Sequence, residues 1–254
     1  MATFPRAILI DLDDTLLDDS SNVDACWDDA CGVAAPRFKG VSVGRLRAEI
    51  DRQASWYWSD PKRHRTGRLD LRAVRRHILD LVFAELGIDD SGLARDLAEM
   101  YCELREERAQ MFPGAIAALD RLRAQGVRLG MMTNGAADAQ RAKIERFGLA
   151  LYFDHIVIEG EFGAGKPDQR VFEALLSALD VTPGDAWAIG DHLDFDVLAP
   201  MQLGLHGIWV DPRNAGLDGR PDRPHRIVSA FTEIVEPPRL APSGAYLLFG
   251  ISTV

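Results

Sequence analysis

The chain has 254 residues, 47% of them hydrophobic and 27% charged, a composition that excludes wholesale disorder and allows one large domain or two modest ones. Its net charge of −10 argues against a nucleic-acid partner, which calls for a basic footprint. Three cysteines, Cys26, Cys31 and Cys102, make no CxxC pair and suit neither a disulfide framework nor a zinc site; they read as buried thiols in a reducing, cytoplasmic setting.

Residues 7–11 read as a short buried strand, Ala7-Ile8-Leu9-Ile10, running into Asp11. Residues 1–15 have no basic leader pattern, and no stretch approaches the roughly 18 apolar residues of a membrane span, so no membrane partner is expected. From about Ser20 to Arg108 the pattern turns helical. Val43, Leu46, Ile50, Ala54 and Tyr57 mark one stripe; Leu71, Val74, Ile78, Leu81 and Val82 mark another. Leu93, Leu97, Tyr101 and Leu104 follow with Ser91 as the expected N-cap, and Cys26, Trp27, Ala30 and Ala34 give a weaker stripe. Trp56-Tyr57-Trp58 offers stacking area for a substrate roof, and three consecutive aromatics cannot share one helix face, so at least one points away from the core; packing is still the favoured reading. His64, Arg65 and Arg68 have the charge to meet an acidic substrate tail, but a solvated charged loop is the favoured reading.

Beyond Phe112 strands and helices alternate. Pro113 is expected at the first position of a helix carrying Ile116, Leu119 and Leu122, stopped by Gly126. Residues 127–132 form a strand ending at Thr133-Asn134-Gly135, followed by a helix with Ile144 and Phe147 and a stop at Gly148. Residues 155–158 are the next strand, and Pro167 is expected to open the following helix, with Val171, Phe172, Leu175, Leu176 and Leu179 on one face. Residues 186–189 run as a strand into Gly190-Asp191. A helix with Val197, Leu198 and Met201 precedes a strand at 207–210. This alternation predicts an α/β fold with a Rossmann-like parallel sheet, interrupted after its first strand by a helical insertion. The expected domains are a discontinuous α/β core, 1–17 with 110–254, and a helical cap, 18–109. The tail from Pro237, with an apolar run at 246–251, has no assigned role.

Singly, the chemical motifs have ordinary readings. Asp11-x-Asp13-x-Thr15 resembles a calcium loop but fails at the sixth position, Leu16, and at the twelfth, Asn22. Asn134-Gly135 suggests a hairpin turn, yet the residues after it are helical. Lys166 alone is a loop lysine, Gly190-Asp191 alone a turn, and His192 is as good a helix-start residue as a substrate contact. Together they differ, because ligands of open parallel sheets bind beyond the carboxyl ends of the strands, where Asp11, Thr133, Lys166 and Asp191 all fall. Two unit charges about 4 Å apart interact by roughly 4 kcal/mol at an effective dielectric near 20. Asp11, Asp13 and Asp191 therefore cannot all stay ionised around one lysine without a divalent cation, and all-oxygen ligands suit Mg²⁺. Asp13, beside another carboxylate, is a candidate for a raised pKa and a proton-carrying role.

The segments DLDDTL (11–16), TNG (133–135), GKP (165–167) and GDHLDFDVLAP (190–200) resemble the haloacid dehalogenase (HAD) superfamily, in the subgroup with a helical cap after the first strand. The pattern is most similar to the N-acylneuraminate-9-phosphatase-like branch. The resemblance implies a Mg²⁺-dependent phosphatase of a small phosphorylated metabolite, working through an aspartyl-phosphate on Asp11. It makes Asp13 the proton carrier, has Thr133 with Asn134 and Gly135 hold the phosphoryl oxygens, and has Lys166 neutralise charge. Metal would be held by Asp11, the Asp13 carbonyl, Asp191 and the region of Asp196, itself paired with Lys166 or near the ion. Relatives often carry Asn where this chain has Phe195. The same scaffold serves haloacid dehalogenases, whose relatives lack an acid at the position of Asp13, and phosphosugar mutases. A phospho-signalling receiver also gathers acids, Thr and Lys, but lacks such an insertion.

Overall fold

A computed structural model describes residues 4–37 and 40–235; the tail from Pro237, including the apolar run at 246–251, lies outside the described residues. In chain order, β1 (Ala7–Ile10) and the short β2 (Leu17–Asp18) precede five helices: α1 (Val23–Ala34), α2 (Val43–Trp58), α3 (Pro61–Gly67), α4 (Leu71–Leu86) and α5 (Ser91–Arg108). Then come β3 (Gln110–Met111), α6 (Ala115–Ala124), β4 (Arg128–Thr133), α7 (Ala137–Arg146), β5 (His155–Ile158), α8 (Glu159–Phe162) and α9 (Gln169–Ala178). The described chain closes with β6 (Ala186–Gly190), a π-helical turn over Leu193–Leu198, α10 (Ala199–Met201), β7 (His206–Val210) and β8 (Arg226–Val228).

Six strands form one sheet in the order β5-β4-β1-β6-β7-β8, every neighbour parallel. Such a sheet is covered on both faces, and β1 shows why its four residues are all apolar. Ile8 and Ile10 enter a cluster with Leu119 and Leu122 of α6 and Ile144 of α7, while Ala7 and Leu9 enter another with Phe172 and Leu175 of α9. The chain runs from β1 outward through β4 and β5, then returns to the other side of β1 for β6. The strand order thus reverses between β1 and β6, the switch point where ligands settle. Asp11 and Asp191 are the first residues past those two strands.

The inserted helices keep a hydrophobic cluster of their own, built from residues of α1, α2, α4 and α5 such as Trp27, Ile50, Leu79 and Leu97. Where the chain leaves for these helices and returns, β2 and β3 pair antiparallel, Leu17 opposite Met111. Two-residue strands leave no periodic signal, so this pair is not visible in the sequence. All three cysteines are buried and free.

Several local expectations change. Asp90, not Ser91, caps α5, its carboxylate accepting the Leu93 N–H at 2.8 Å. Pro113 lies before α6, whose cap is Gly114 at φ 81. Pro167 follows a cis Lys166–Pro167 peptide and stays outside α9, which Asp168 caps through the Arg170 N–H. His64 and Arg65, expected in a loop, lie in α3, opened by Pro61 behind the Asp60 cap. Of the three aromatics, Trp56 is exposed beneath the Arg63 guanidinium at 4.0 Å, whereas Tyr57 and Trp58 pack on the helical cluster.

Candidate active site

Past Ile10 the chain cannot continue as a strand, because Leu12 and Leu16 turn into the core while Asp14 takes a left-handed φ of 58°. The Leu16 and Leu17 amides both return to the Leu12 carbonyl, at 2.9 and 3.0 Å. This tight turn brings the Thr15 hydroxyl back onto Asp11, donating to Oδ2 at 3.2 Å. The other Asp11 oxygen accepts from Lys166 Nζ. The same ammonium sits 2.8 Å from Asp196 Oδ1, so one buried lysine bridges two buried carboxylates.

Asp191 completes the group, with one oxygen each of Asp11, Asp191 and Asp196 mutually within 4.8 Å. Three carboxylates face one ammonium here, and the ionisation of Asp11, Asp191 and Lys166 reflects it. Burial lifts Asp11 to about 6 although Lys166 pulls it down. Burial, together with the carboxylates of Asp11, Asp196 and Asp14, pushes Asp191 up to about 8. For Lys166 burial favours the neutral amine, but Asp11 and Asp196 outweigh it and hold the ammonium charged. A set of crowded, all-oxygen donors short of positive charge is what a hard divalent cation fits, and Mg²⁺ prefers carboxylates with room for water and phosphate.

Thr133 ends β4 at the same edge, buried, its hydroxyl accepting from Gln140 Nε2 on α7. Asn134 acts through its side chain: the amide oxygen accepts the Lys166 N–H at 2.7 Å and the amide nitrogen donates to the Lys166 carbonyl at 2.9 Å. The sequence resemblance implied Asn134 only as a contact of the phosphoryl oxygens, not as a support for the Lys166 backbone. The Gly135 N–H is taken up by Glu159 Oε2 at 3.0 Å, so this proposed phosphate contact faces a protein carboxylate. Glu159 in turn receives Arg68 through two hydrogen bonds, of 2.7 and 2.6 Å. Arg68 is therefore not a solvated loop residue but a clamp from the helical insertion onto the sheet edge.

His192 is a helix-start residue: its ring accepts the Phe195 N–H at 3.3 Å and its own N–H goes to Asp196 Oδ2 at 2.9 Å. Phe195, the departure from the family pattern, stacks on that ring at 4.0 Å, and each Asp196 oxygen keeps one partner, the His192 N–H and Lys166. The expected ordinary helix at this point is instead a π turn, a form that recurs at functional sites.

Asp13 stands apart from the acidic cluster. Its carboxylate accepts from Lys143 Nζ at 2.7 Å and from Gln140 Nε2 at 2.8 Å, both on α7. Burial raises its pKa, against the pull of Lys143. Neither Gln140 nor Lys143 was singled out from the sequence, and Thr15 and Glu159 were missed as well. The available signal was a Gln and a Lys three apart on the face of α7 that also carries Ile144.

The family described as haloacid dehalogenase-like hydrolase matches residues 5–204. A phosphoserine phosphatase from Thermus thermophilus is 34% identical over 222 residues, covering 81% of this chain and 88% of that protein. N-acylneuraminate-9-phosphatase from Rattus norvegicus is 32% identical over 149 residues, or 58% of this chain and 60% of its own length. Among solved structures, a 2-haloacid dehalogenase from Pseudomonas syringae superimposes with a TM-score of 0.61 at 28% identity, over 91% of this chain and 96% of that one.

Proposed function

The chain belongs to the haloacid dehalogenase-like hydrolases, and from that premise we infer how it works on phosphate esters. It is a phosphatase of small phosphorylated metabolites. The observation that carries the residue assignment is one ammonium, Lys166, shared between Asp11 and Asp196 at the switch point, with Asp191 beside them.

Asp11 is the nucleophile. Held against the Lys166 ammonium it reacts as a carboxylate, and one of its oxygens forms a bond to phosphorus as the ester P–O bond breaks. Asp13 supplies the proton to the departing oxygen, then takes one from the water that cleaves the aspartyl-phosphate. Thr133 holds the phosphoryl oxygens with the Asn134 backbone, and Lys166 offsets the negative charge gathered there. Asp11, the Asp13 carbonyl, Asp191 and Asp196 would hold Mg²⁺, whose chemistry is to neutralise the carboxylates and the phosphate dianion so that one can approach the other. The helices between β2 and β3 form a cap, residues 18–109 against a core of 1–17 and 110–254, that keeps bulk water from the intermediate. The three buried thiols fit a cytoplasmic location.

A metal-independent dehalogenase has no task for a proton-carrying carboxylate, and here Asp13 is held by two side chains. The deciding measurement is hydrolysis of p-nitrophenyl phosphate, with phosphoserine and a sugar-acid phosphate screened beside it. Activity is expected to need Mg²⁺, to vanish with EDTA, and to fall at least about 10³-fold in Asp11→Asn with the fold intact. Halide release from a 2-haloacid without Mg²⁺, or full phosphatase activity in Asp11→Asn, would overturn the reading.

A further inference from the structure

We propose that Lys143 is a positioning residue for Asp13, aiming the proton carrier at the leaving oxygen and tying it to the inserted helices through Asp19 and Arg105. The inference rests on the reading of Asp13 as acid and base. Lys143 Nζ lies 2.7 Å from Asp13 Oδ1 and 3.0 Å from Asp19 Oδ1. Gln140 Nε2 holds the other Asp13 oxygen at 2.8 Å and also reaches the Thr133 hydroxyl. Asp19 Oδ2 in turn accepts from Arg105 Nη2 of α5 at 2.7 Å, and Arg105 Nη1 donates to the Tyr101 hydroxyl at 2.9 Å.

A free aspartate side chain turns about two bonds, and a proton donor a little over an ångström out of place loses much of its effect. Two donors on two different oxygens fix both rotations. Each carboxylate oxygen has two lone-pair positions, and each strut uses one, so a position remains for the proton that is moved. In the first step that proton passes from Asp13 to the leaving oxygen as the ester P–O bond breaks and the Asp11–phosphorus bond forms. In the second, water bonds to phosphorus, the Asp11–phosphorus bond breaks, and the water's proton returns to Asp13. Lys143 differs from Lys166 in what it faces: its ammonium lies against Asp13 and Asp19, whereas that of Lys166 lies against Asp11 and Asp196. The Asp19–Arg105 link makes the aim of Asp13 depend on α5.

The test compares kcat/KM for p-nitrophenyl phosphate, whose leaving group departs without a proton, with kcat/KM for glycerol 2-phosphate, whose alkoxide needs one. Since kcat/KM reports the first step, Lys143→Met is expected to lower it for glycerol 2-phosphate by about 10²-fold and for p-nitrophenyl phosphate by no more than about threefold. Lys143→Arg should recover part of the loss. Lys143→Gln, which keeps a donor in place, serves where the Met variant does not fold, and is expected to show the same split in smaller measure. Equal losses on both esters, or no loss on either, would overturn the proposal. Asp13→Asn separates the two levels: if it shows the leaving-group split and the Lys143 variants do not, Lys143 has no positioning role. If Asp13→Asn shows no split, the acid–base reading itself fails.

Discussion

Gly190 illustrates how one missing carbon shapes the site. A Cβ built there would run into the Asp196 carboxyl group, so β6 ends on the one residue that lets Asp196 lie against the strand. Gly165 has the same role before Lys166, where a Cβ would strike the Glu159 carboxylate and the Asn134 amide oxygen. Close approach, not backbone freedom, demands glycine at both positions. Gly190→Ala is therefore expected to displace Asp196 from Lys166 and from the acidic cluster with Asp11 and Asp191. Mg²⁺-dependent hydrolysis of p-nitrophenyl phosphate should drop at least tenfold, roughly 1.4 kcal/mol of barrier, with circular dichroism unchanged. A fully active variant would mean that Asp196 has room to spare.

At the scale of elements, the turn after β1 is held from outside as much as from within. Asp19 closes it against α5 and α7 through Arg105 and Lys143. Burial works to raise the Asp19 pKa, but Lys143 and then Arg105 outweigh it and hold the carboxyl below its ordinary value. A depressed carboxyl contributes stability above its unfolded pKa and loses it as the pH falls through the folded value. Asp19→Asn should accordingly cost about 1–2 kcal/mol in urea unfolding at pH 7, with the gap to the parent protein closing as the pH falls below about 4. A gap that persists at pH 3 would point to lost packing instead of lost charge.

Across the whole molecule, the helical insertion and the sheet domain bury separate hydrophobic clusters and meet through polar groups. Arg68 reaches Glu159, Arg105 reaches Asp19, and Arg146 of α7 donates to the Glu107 carbonyl at the end of α5 at 3.0 Å. Apolar burial is non-directional, whereas paired charges hold one geometry, so this seam fixes how the helices sit against the sheet domain. Arg68 with Glu159 is its most buried pair. Removing Arg68 leaves a buried carboxylate with the Gly135 N–H, and removing both costs less than the separate changes suggest. A cycle of Arg68→Ala, Glu159→Gln and the double variant should return a coupling of about 1–3 kcal/mol in chemical unfolding. Strict additivity would remove the clamp from the account. Among the described residues no helix is long and apolar enough to cross a membrane.

The sequence by itself determined the parallel α/β core, the helical insertion after the first strand, and the placement of Asp11, Thr133, Lys166 and Asp191 at one edge. Each of these is written in local pattern: an apolar run ends in a polar residue, and the period on either side names the element. Even there the finer punctuation slipped, because Asp90 and Asp168 compete with neighbouring serine and proline as caps and only backbone geometry selects one. Tertiary structure alone decided what surrounds the acids. Gln140 and Lys143 reach Asp13 across 127 and 130 residues, Arg68 reaches Glu159 across 91, and Asn134 grips the backbone of Lys166 across 32. Pairing between distant charges has no period along the chain; it exists only once the sheet and the helices bring the partners within a hydrogen bond of each other.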